Sequence, residues 1–64
     1  MTSREAAEKI ANWLRKVSDE YLELSVKARE RGKTEFAEQE EWKSEALGIS
    51  AIVLEHDIQD GEFD

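Results

Sequence analysis

Residue types that commonly carry chemistry are scarce in this 64-residue chain, which contains one histidine and no cysteine. His56 and Asp60 are four residues apart, so on a helix they would share a face and, with Asp57, could hold one divalent cation. A two-metal helical bundle would instead place a glutamate three residues before the histidine, and that residue is Val53. We therefore predict no metal site and no cofactor.

Catalysis by a nucleophile also lacks its usual partners in the sequence. Serine and cysteine nucleophiles need a positioned base, which is most often histidine. The spacing places no serine opposite His56, and the three glycines are isolated, so no phosphate-binding loop is recognisable. The sequence predicts no catalytic residue, and we expect that the protein is not an enzyme.

Acidic side chains outnumber basic ones, and the formal net charge is -7. Residues 1–33 contain eight basic and six acidic side chains, a balance of +2, whereas residues 34–64 contain one basic and ten acidic, a balance of -9. This surplus of acid argues against nucleic-acid binding. Glu38, Glu41 and Glu45 lie at helical spacing and form an acidic face, which is either solvated or docks on a basic partner surface.

The elements that would position these groups are two proline-free helices separated by a turn near the middle of the chain. Gly32 suits the end of the first helix, because glycine adopts the left-handed conformation without steric cost. Thr34 suits the cap of the second helix, as Thr2 and Glu5 suit the start of the first. The prediction is one all-α domain over residues 1–64, folded as an antiparallel two-helix hairpin. The first helix is expected at about 3–31, the turn at 32–34, the second helix at about 35–59 and an acidic tail at 60–64.

A heptad pattern of apolar residues runs along the first helix. Its members are spaced alternately three and four residues apart: Ala7, Ile10, Leu14, Val17, Tyr21, Leu24 and Ala28. This spacing predicts a continuous stripe on one helix face. We expect this stripe to close the hairpin against a stripe of the second helix formed by Phe36, Leu47, Leu54 and Ile58.

A second stripe on the second helix has no partner within a hairpin. It comprises Gln39, Trp42, Ala46, Ile49, Val53 and His56, and it lies ~120° around the helix from the first stripe. A chain of this size rarely buries enough apolar surface to be stable alone. We therefore predict a partner or dimer interface formed by Trp13, Trp42, Ala46, Ile49, Val53 and His56, and we expect two hairpins to associate into a four-helix bundle.

Two further residues have open interpretations at this stage. Gly48 lies inside the second helix and is either merely tolerated there or allows two helices to approach closely. Phe63 follows Gly61 in the acidic tail, where it stays loose with the chain end, folds back on the hairpin or serves as an exposed anchor.

The turn resembles that of a tetratricopeptide repeat over residues 28–37, where Gly32 and Ala37 fit the repeat pattern. The later aromatic and alanine positions of that repeat fall on Glu41 and Ser44, and no proline follows, so we assign no family. The plan of two helices and an acidic tail is similar to Rop-type dimeric four-helix bundles, but we match no RNA-binding residue of that family to this chain.

These observations favour a small non-enzymatic protein-interaction module, a regulator, adaptor or inhibitor that acts through an exposed apolar helical face. The alternative is a phage- or plasmid-type acidic inhibitor that binds the basic, nucleic-acid-binding surface of a host protein. The expected partner is a second copy, another protein, or both, and neither nucleic acid nor a membrane is expected. The longest apolar run, residues 51–54, is too short to span a bilayer, and we expect a cytoplasmic location.

Overall fold

Two helices packed as an antiparallel hairpin make up the computed structural model, which describes residues 2–64. Helix α1 spans Ser3–Glu30 and helix α2 spans Thr34–Gln59. The hairpin measures 47 × 17 × 11 Å along its principal axes. The predicted all-α hairpin is therefore confirmed. Within the described residues, neither helix is long and apolar enough to cross a membrane.

The start of α1 is fixed by the predicted cap. The Thr2 hydroxyl oxygen accepts a hydrogen bond from the Glu5 backbone N–H at 3.1 Å, and the hydroxyl also lies 3.2 Å from the Glu5 carboxylate. The cap supplies a partner to one of the backbone N–H groups that the first turn leaves unpaired. Thr2 and Glu5 thus begin the helix as the sequence predicted.

The turn is a Schellman motif, in which a glycine in the left-handed conformation ends the helix. Gly32 has φ 75°, its N–H donates to Arg29 O at 3.0 Å, and the Lys33 N–H donates to Ala28 O at 2.9 Å. The cap of α2 is Lys33, not Thr34, and the expectation for Thr34 was wrong. The Lys33 carbonyl already accepts from the Ala37 N–H at 2.9 Å, so α2 has begun before the Thr34 side chain can cap it.

Small side chains form the contact between the two helices. Five of the six buried apolar residues are alanines, and the sixth is Ile58. We call this contact the small-residue seam, and its members are Ala7, Ala11, Ser18, Ser25 and Ala28 of α1 with Ala37, Ser44, Gly48 and Ala51 of α2. Short side chains let two helix backbones approach closely.

Hydrogen bonds at the middle of the seam hold the two helices together. The Ser18 hydroxyl donates to Ser44 O at 2.7 Å, and the Ser44 hydroxyl donates to Ser18 O at 2.8 Å. A Cβ atom at Gly48 would lie 3.3 Å from the Ser18 hydroxyl oxygen, which is a tight contact. Of the two interpretations of Gly48, the structure therefore favours close helix approach.

The large residues of the stripes that were expected to close the hairpin lie mostly beside the seam, whereas the stripe members Ala7, Ala28 and Ile58 are buried as predicted. Ile10 and Leu24 are exposed by 52% and 44%, and Phe36 is exposed by 48%. At 100° per residue, these side chains lie roughly 60–100° around their helices from the seam. Large side chains at the seam would separate the helices, so the alanines and serines occupy it and the stripes are displaced toward solvent.

The tail folds back on the open end of the hairpin. Gly61 has φ 82°, and the Glu62 N–H donates to Asp57 O at 3.1 Å, so a second Schellman motif ends α2. Phe63 then packs, together with Leu54, against the cluster of Ala7, Ala11 and Ile58. Arg4 and Asp64 form an ion pair at 3.3 Å across the same end.

We expect Phe63→Ala to lower the free energy of unfolding by about 1–2 kcal/mol, because removing the half-buried ring uncovers the cluster of Ala7, Ala11 and Ile58. Thermal unfolding followed by far-UV circular dichroism measures the change. Glu62→Ala, in the same turn but exposed, is the control and should change little. Equal stability of the two variants would contradict the packing of Phe63.

Ion pairs between the helices lie on the side of the seam away from Ile10, Leu24 and Phe36. Arg15 and Glu55 form a bidentate pair with both contacts at 2.5 Å. Arg29 and Glu41 form a second pair nearer the turn. The hydrogen bond from Arg15 lowers the pKa of the Glu55 carboxyl below its usual value of 4.5. We call this the ion-pair side of the hairpin.

Acid should weaken the hairpin partly through Glu55. Because its pKa is lowered by folding, the stability it contributes is present above pH 4.5 and is lost as the pH falls through the folded-state value. Glu55→Gln should therefore unfold with a shallower dependence on pH below 4.5 than the natural chain. The effect is modest because both side chains are partly solvated. Glu20→Gln, at an exposed position, is the control, and identical slopes for Glu55→Gln and the natural chain would contradict this role.

Candidate protein-interaction surfaces

Large apolar side chains are left at the surface of the hairpin to an unusual degree. No large side chain is fully buried within residues 2–64. Ten large apolar residues are exposed by 44–64%: Ile10, Trp13, Leu22, Leu24, Val26, Phe36, Trp42, Ile49, Ile52 and Val53. Monomeric proteins expose single apolar residues commonly, but contiguous apolar patches usually mark contact sites. The candidate functional sites are therefore surfaces.

The first surface, which we call the open face, spans both helices. It consists of the exposed Ile10, Leu24 and Phe36 and the half-buried Leu14, Val17, Tyr21, Leu47 and Leu54. Near the turn, Leu24 and Phe36 line one cavity together with Ala28. In the middle, the Lys43 ammonium lies 5.3 Å from the centre of the Tyr21 ring. These contacts place the two apolar stripes on the same side of the hairpin.

A polar group interrupts the open face at its middle, which the sequence analysis did not anticipate. The Glu40 side chain is almost fully buried and accepts a hydrogen bond from the Lys43 ammonium at 3.0 Å. This contact raises the pKa of Lys43 above its usual range. The Lys43 ammonium thus contacts both the Glu40 carboxylate and the face of the Tyr21 ring. The spacing of Glu40 and Lys43 at i, i+3 was visible in the sequence, but the burial of Glu40 was not.

The second surface, which we call the outer stripe, lies on the side of α2 that faces away from α1. Trp42 and Ile49 are exposed by 64% and 62%, and Val53 by 55%. Ala46 and His56 are exposed as well. These residues are the α2 part of the predicted partner interface, and the structure brings them together on one helix face.

Trp13 is not part of the outer stripe within a single chain. It is exposed by 58%, but it lies on α1, at the outer edge of the open face. Helix α1 therefore separates Trp13 from Trp42 and Ile49. The hairpin alone does not assemble all six residues of the predicted interface.

The acidic face is divided by an ion pair. Glu38 and Glu45 are exposed and are not members of any ion pair found in the described part of the chain. Glu41 is half-buried and is engaged by Arg29 across the helices. Two of the three predicted glutamates are thus available to a basic partner.

His56 and Asp60 do lie on one helix face, as the spacing indicated. The His56 Nδ1 atom is 3.8 Å from the Asp60 carboxylate, and both side chains are well exposed. Over residues 2–64, no group of three histidine, cysteine or acidic side chains is placed to hold a metal ion.

The fold and its surfaces define this chain as a small all-α helical hairpin that exposes large apolar side chains on the open face, on the outer stripe and, at Leu22, Val26 and Ile52, on the ion-pair side. No protein family, curated protein or solved structure compared with the chain gave a match.

Proposed function

We propose that this chain is a small non-enzymatic protein-interaction module, a regulator, adaptor or inhibitor, whose hairpins pair into a four-helix bundle through the open face. In this proposal the outer stripe, with Trp42, Ile49 and Val53 at its centre, binds a different protein. The two surfaces would then have separate tasks, because they lie on different sides of α2.

The observation that carries the proposal is the absence of large side chains from the closed seam, while ten of them are exposed. Burying a large apolar side chain contributes about 1.5–3 kcal/mol, so these residues hold most of the stabilisation that the chain can gain. A seam of alanines and serines supplies little of it. Association with protein surfaces is the way in which a chain with this arrangement would become stable.

Trp42 suits the proposed partner surface, because aromatic side chains dominate binding energy at protein interfaces. Trp42→Ala should weaken capture of the partner from the native cell by about 10-fold or more, which corresponds to a loss of 1.4 kcal/mol or more. Val26→Ala is the matched control, since Val26 is also exposed, by 49%, but lies on the ion-pair side of α1. Equal weakening by both variants, or by neither, would count against the outer stripe as the binding surface.

A second candidate function is an acidic inhibitor of a phage or plasmid type that covers the basic, nucleic-acid-binding surface of a host protein. It is favoured by the balance of -9 in residues 34–64 and by the exposure of Glu38 and Glu45. An excess of negative charge speeds association with basic surfaces and makes the binding affinity depend on the salt concentration.

The two candidate functions respond differently to charge and to salt. If the acidic inhibitor is correct, the double change Glu38→Gln and Glu45→Gln should weaken capture, and 0.5 M salt should do the same. The control is Glu20→Gln with Glu30→Gln, which removes the same charge from α1. Capture that is indifferent to salt and to both pairs of changes would exclude the acidic inhibitor and leave the apolar outer stripe.

A further inference from the structure

The open face and the charges at its edges specify how a second copy would pack. We propose that two hairpins associate with α1 of each copy against α2 of the other, so that both turns lie at the same end of the four-helix bundle. This inference rests on the proposed pairing through the open face and adds its orientation. The competing arrangement places α1 on α1 and α2 on α2, with the turns at opposite ends.

The size of the open face suits a second copy of this chain. The hairpin is 47 Å long and 17 Å wide, so one broad side presents roughly 800 Å² per chain, which is the area of a standard stable interface. A short peptide would cover only part of that length. A second hairpin covers both apolar stripes at once and hides Ile10, Leu24 and Phe36 together.

The distribution of ion pairs distinguishes the two sides of the hairpin. On the ion-pair side, Arg15 pairs with Glu55 and Arg29 with Glu41 across the two helices, beside the exposed Leu22, Val26 and Ile52. Charged residues at the edges of the open face form no such pairs between the helices. Four of them belong to no ion pair found within residues 2–64, and these are Lys9, Arg31, Glu35 and Asp57.

These four residues complement one another between copies in the proposed arrangement. Lys9 on α1 and Asp57 on α2 lie toward the open end of the hairpin, whereas Arg31 and Glu35 lie next to the turn. When the turns coincide, Lys9 of one copy faces Asp57 of the second copy, and Arg31 faces Glu35. Each pair occurs twice, because the two copies are related by symmetry.

The competing arrangement juxtaposes like charges. It would pack the α2 half, with its balance of -9, against the same half of the second copy, and would bring Glu35 toward Asp60. Contacts within a Debye length of ~8 Å dominate at physiological salt, so the charges on facing helices decide the orientation. Helix α1 is the more favourable neighbour for the acidic α2, because residues 1–33 carry a balance of +2.

The orientation also decides the number of partner sites. With α1 against α2, the two α2 helices are diagonal in the bundle, and the two outer stripes face in opposite directions. Trp13 of the second copy then lies beside Val53, at the edge of the outer stripe. The dimer thereby brings Trp13 to the predicted partner interface, from which it is separated within one chain. The dimer would carry two separate sites for a partner protein.

The distance between two spin labels tests the orientation directly. The chain has no cysteine, so Lys33→Cys allows one label per chain at the turn. Neighbouring helix axes lie 8–10 Å apart, so the proposed arrangement predicts a dipolar distance below about 30 Å between the turns. A distance near the 47 Å length of the hairpin would overturn it while leaving the dimer and the proposed function intact.

A second label position separates failure of the orientation from failure of pairing. Lys16→Cys lies near the middle of the hairpin, so its two labels should be within range in either arrangement. A measurable Lys16→Cys distance with a long Lys33→Cys distance would overturn only the orientation. An uncoupled signal from both positions would overturn the orientation and the proposed pairing together.

A charge exchange provides an independent test that does not perturb the core. Lys9→Glu should raise the dimer dissociation constant by about 10-fold, since it introduces two repulsive contacts per dimer. Adding Asp57→Lys to the same chain should restore most of the affinity. Failure of the second change to rescue the first would contradict the proposed contact between Lys9 and Asp57.

Discussion

Ala51→Leu should lower the stability of the hairpin substantially. Ala51 is completely buried in the small-residue seam, and a leucine there adds three carbon atoms at the contact between the two helices. Overpacking of a tight contact typically costs 1–3 kcal/mol, and a chain of this length has a total stability of only about 3–10 kcal/mol. The expected fall in melting temperature is more than about 10 °C by far-UV circular dichroism.

Ala46→Leu is the matched control for this experiment. The substitution is chemically identical and lies on the same helix, but Ala46 is exposed on the outer stripe. Alanine and leucine have similar helix propensities, so the control should change stability by less than about 0.5 kcal/mol. Similar melting temperatures for the two variants would show that the helices do not meet at Ala51.

Leu24→Glu should abolish association of the hairpins. Leu24 lies on the open face and lines a cavity with Phe36 and the basic Lys27, Arg31 and Lys33, so pairing would take the new carboxylate of each copy out of water. Removing a charge from water is costly even beside basic side chains, and the dimer contains two such carboxylates. We expect the dimer dissociation constant, measured by sedimentation equilibrium, to rise by at least about 100-fold.

Leu22→Glu is the control for Leu24→Glu. Leu22 is exposed by 47%, close to the 44% of Leu24, but it lies on the opposite side of α1. Both variants carry the same change in charge and in helix propensity. Equal weakening of the dimer by both would mean that the open face is not the surface through which the hairpins pair.

The fold was largely predictable from local chemistry. The end of α1 at Gly32 and the start at Thr2 follow from backbone conformation and hydrogen bonding within a few residues, and both are confirmed. The predicted cap of α2 was wrong because the connection is only three residues long. Within it, the Lys33 N–H donates to the end of α1 and the Lys33 carbonyl accepts from the start of α2. No single residue type signals that sharing, which depends on the geometry of the whole turn.

The contact between the helices was predicted only in part, at Ala7, Ala28 and Ile58, for a physical reason. The apolar heptad containing Ile10 and Leu24 was assigned to hairpin closure because large apolar side chains gain most from burial. The seam instead follows the small residues, which permit the shortest distance between backbones. A signal was present, because Ala37, Ser44 and Ala51 recur every seven residues and end at Ile58.

The outer stripe was predicted correctly as an uncovered surface, although its role as an interface stays a prediction. Helical periodicity places Trp42, Ile49 and Val53 on one face regardless of what packs elsewhere, so their exposure could be derived from spacing. Trp13 was grouped with them because it widens the apolar stripe of the first helix on one side. Its distance from the outer stripe depends on how a second copy packs, which the residues around Trp13 do not determine.

The mass of the natural chain in solution tests the central claim most directly. Size-exclusion chromatography with light scattering should give twice the 7.4 kDa mass of one chain at micromolar concentration, and the melting temperature should rise with concentration. A particle of 7.4 kDa that unfolds in one sharp, concentration-independent transition would contradict the account, because the hairpin would then be stable with its large apolar side chains exposed.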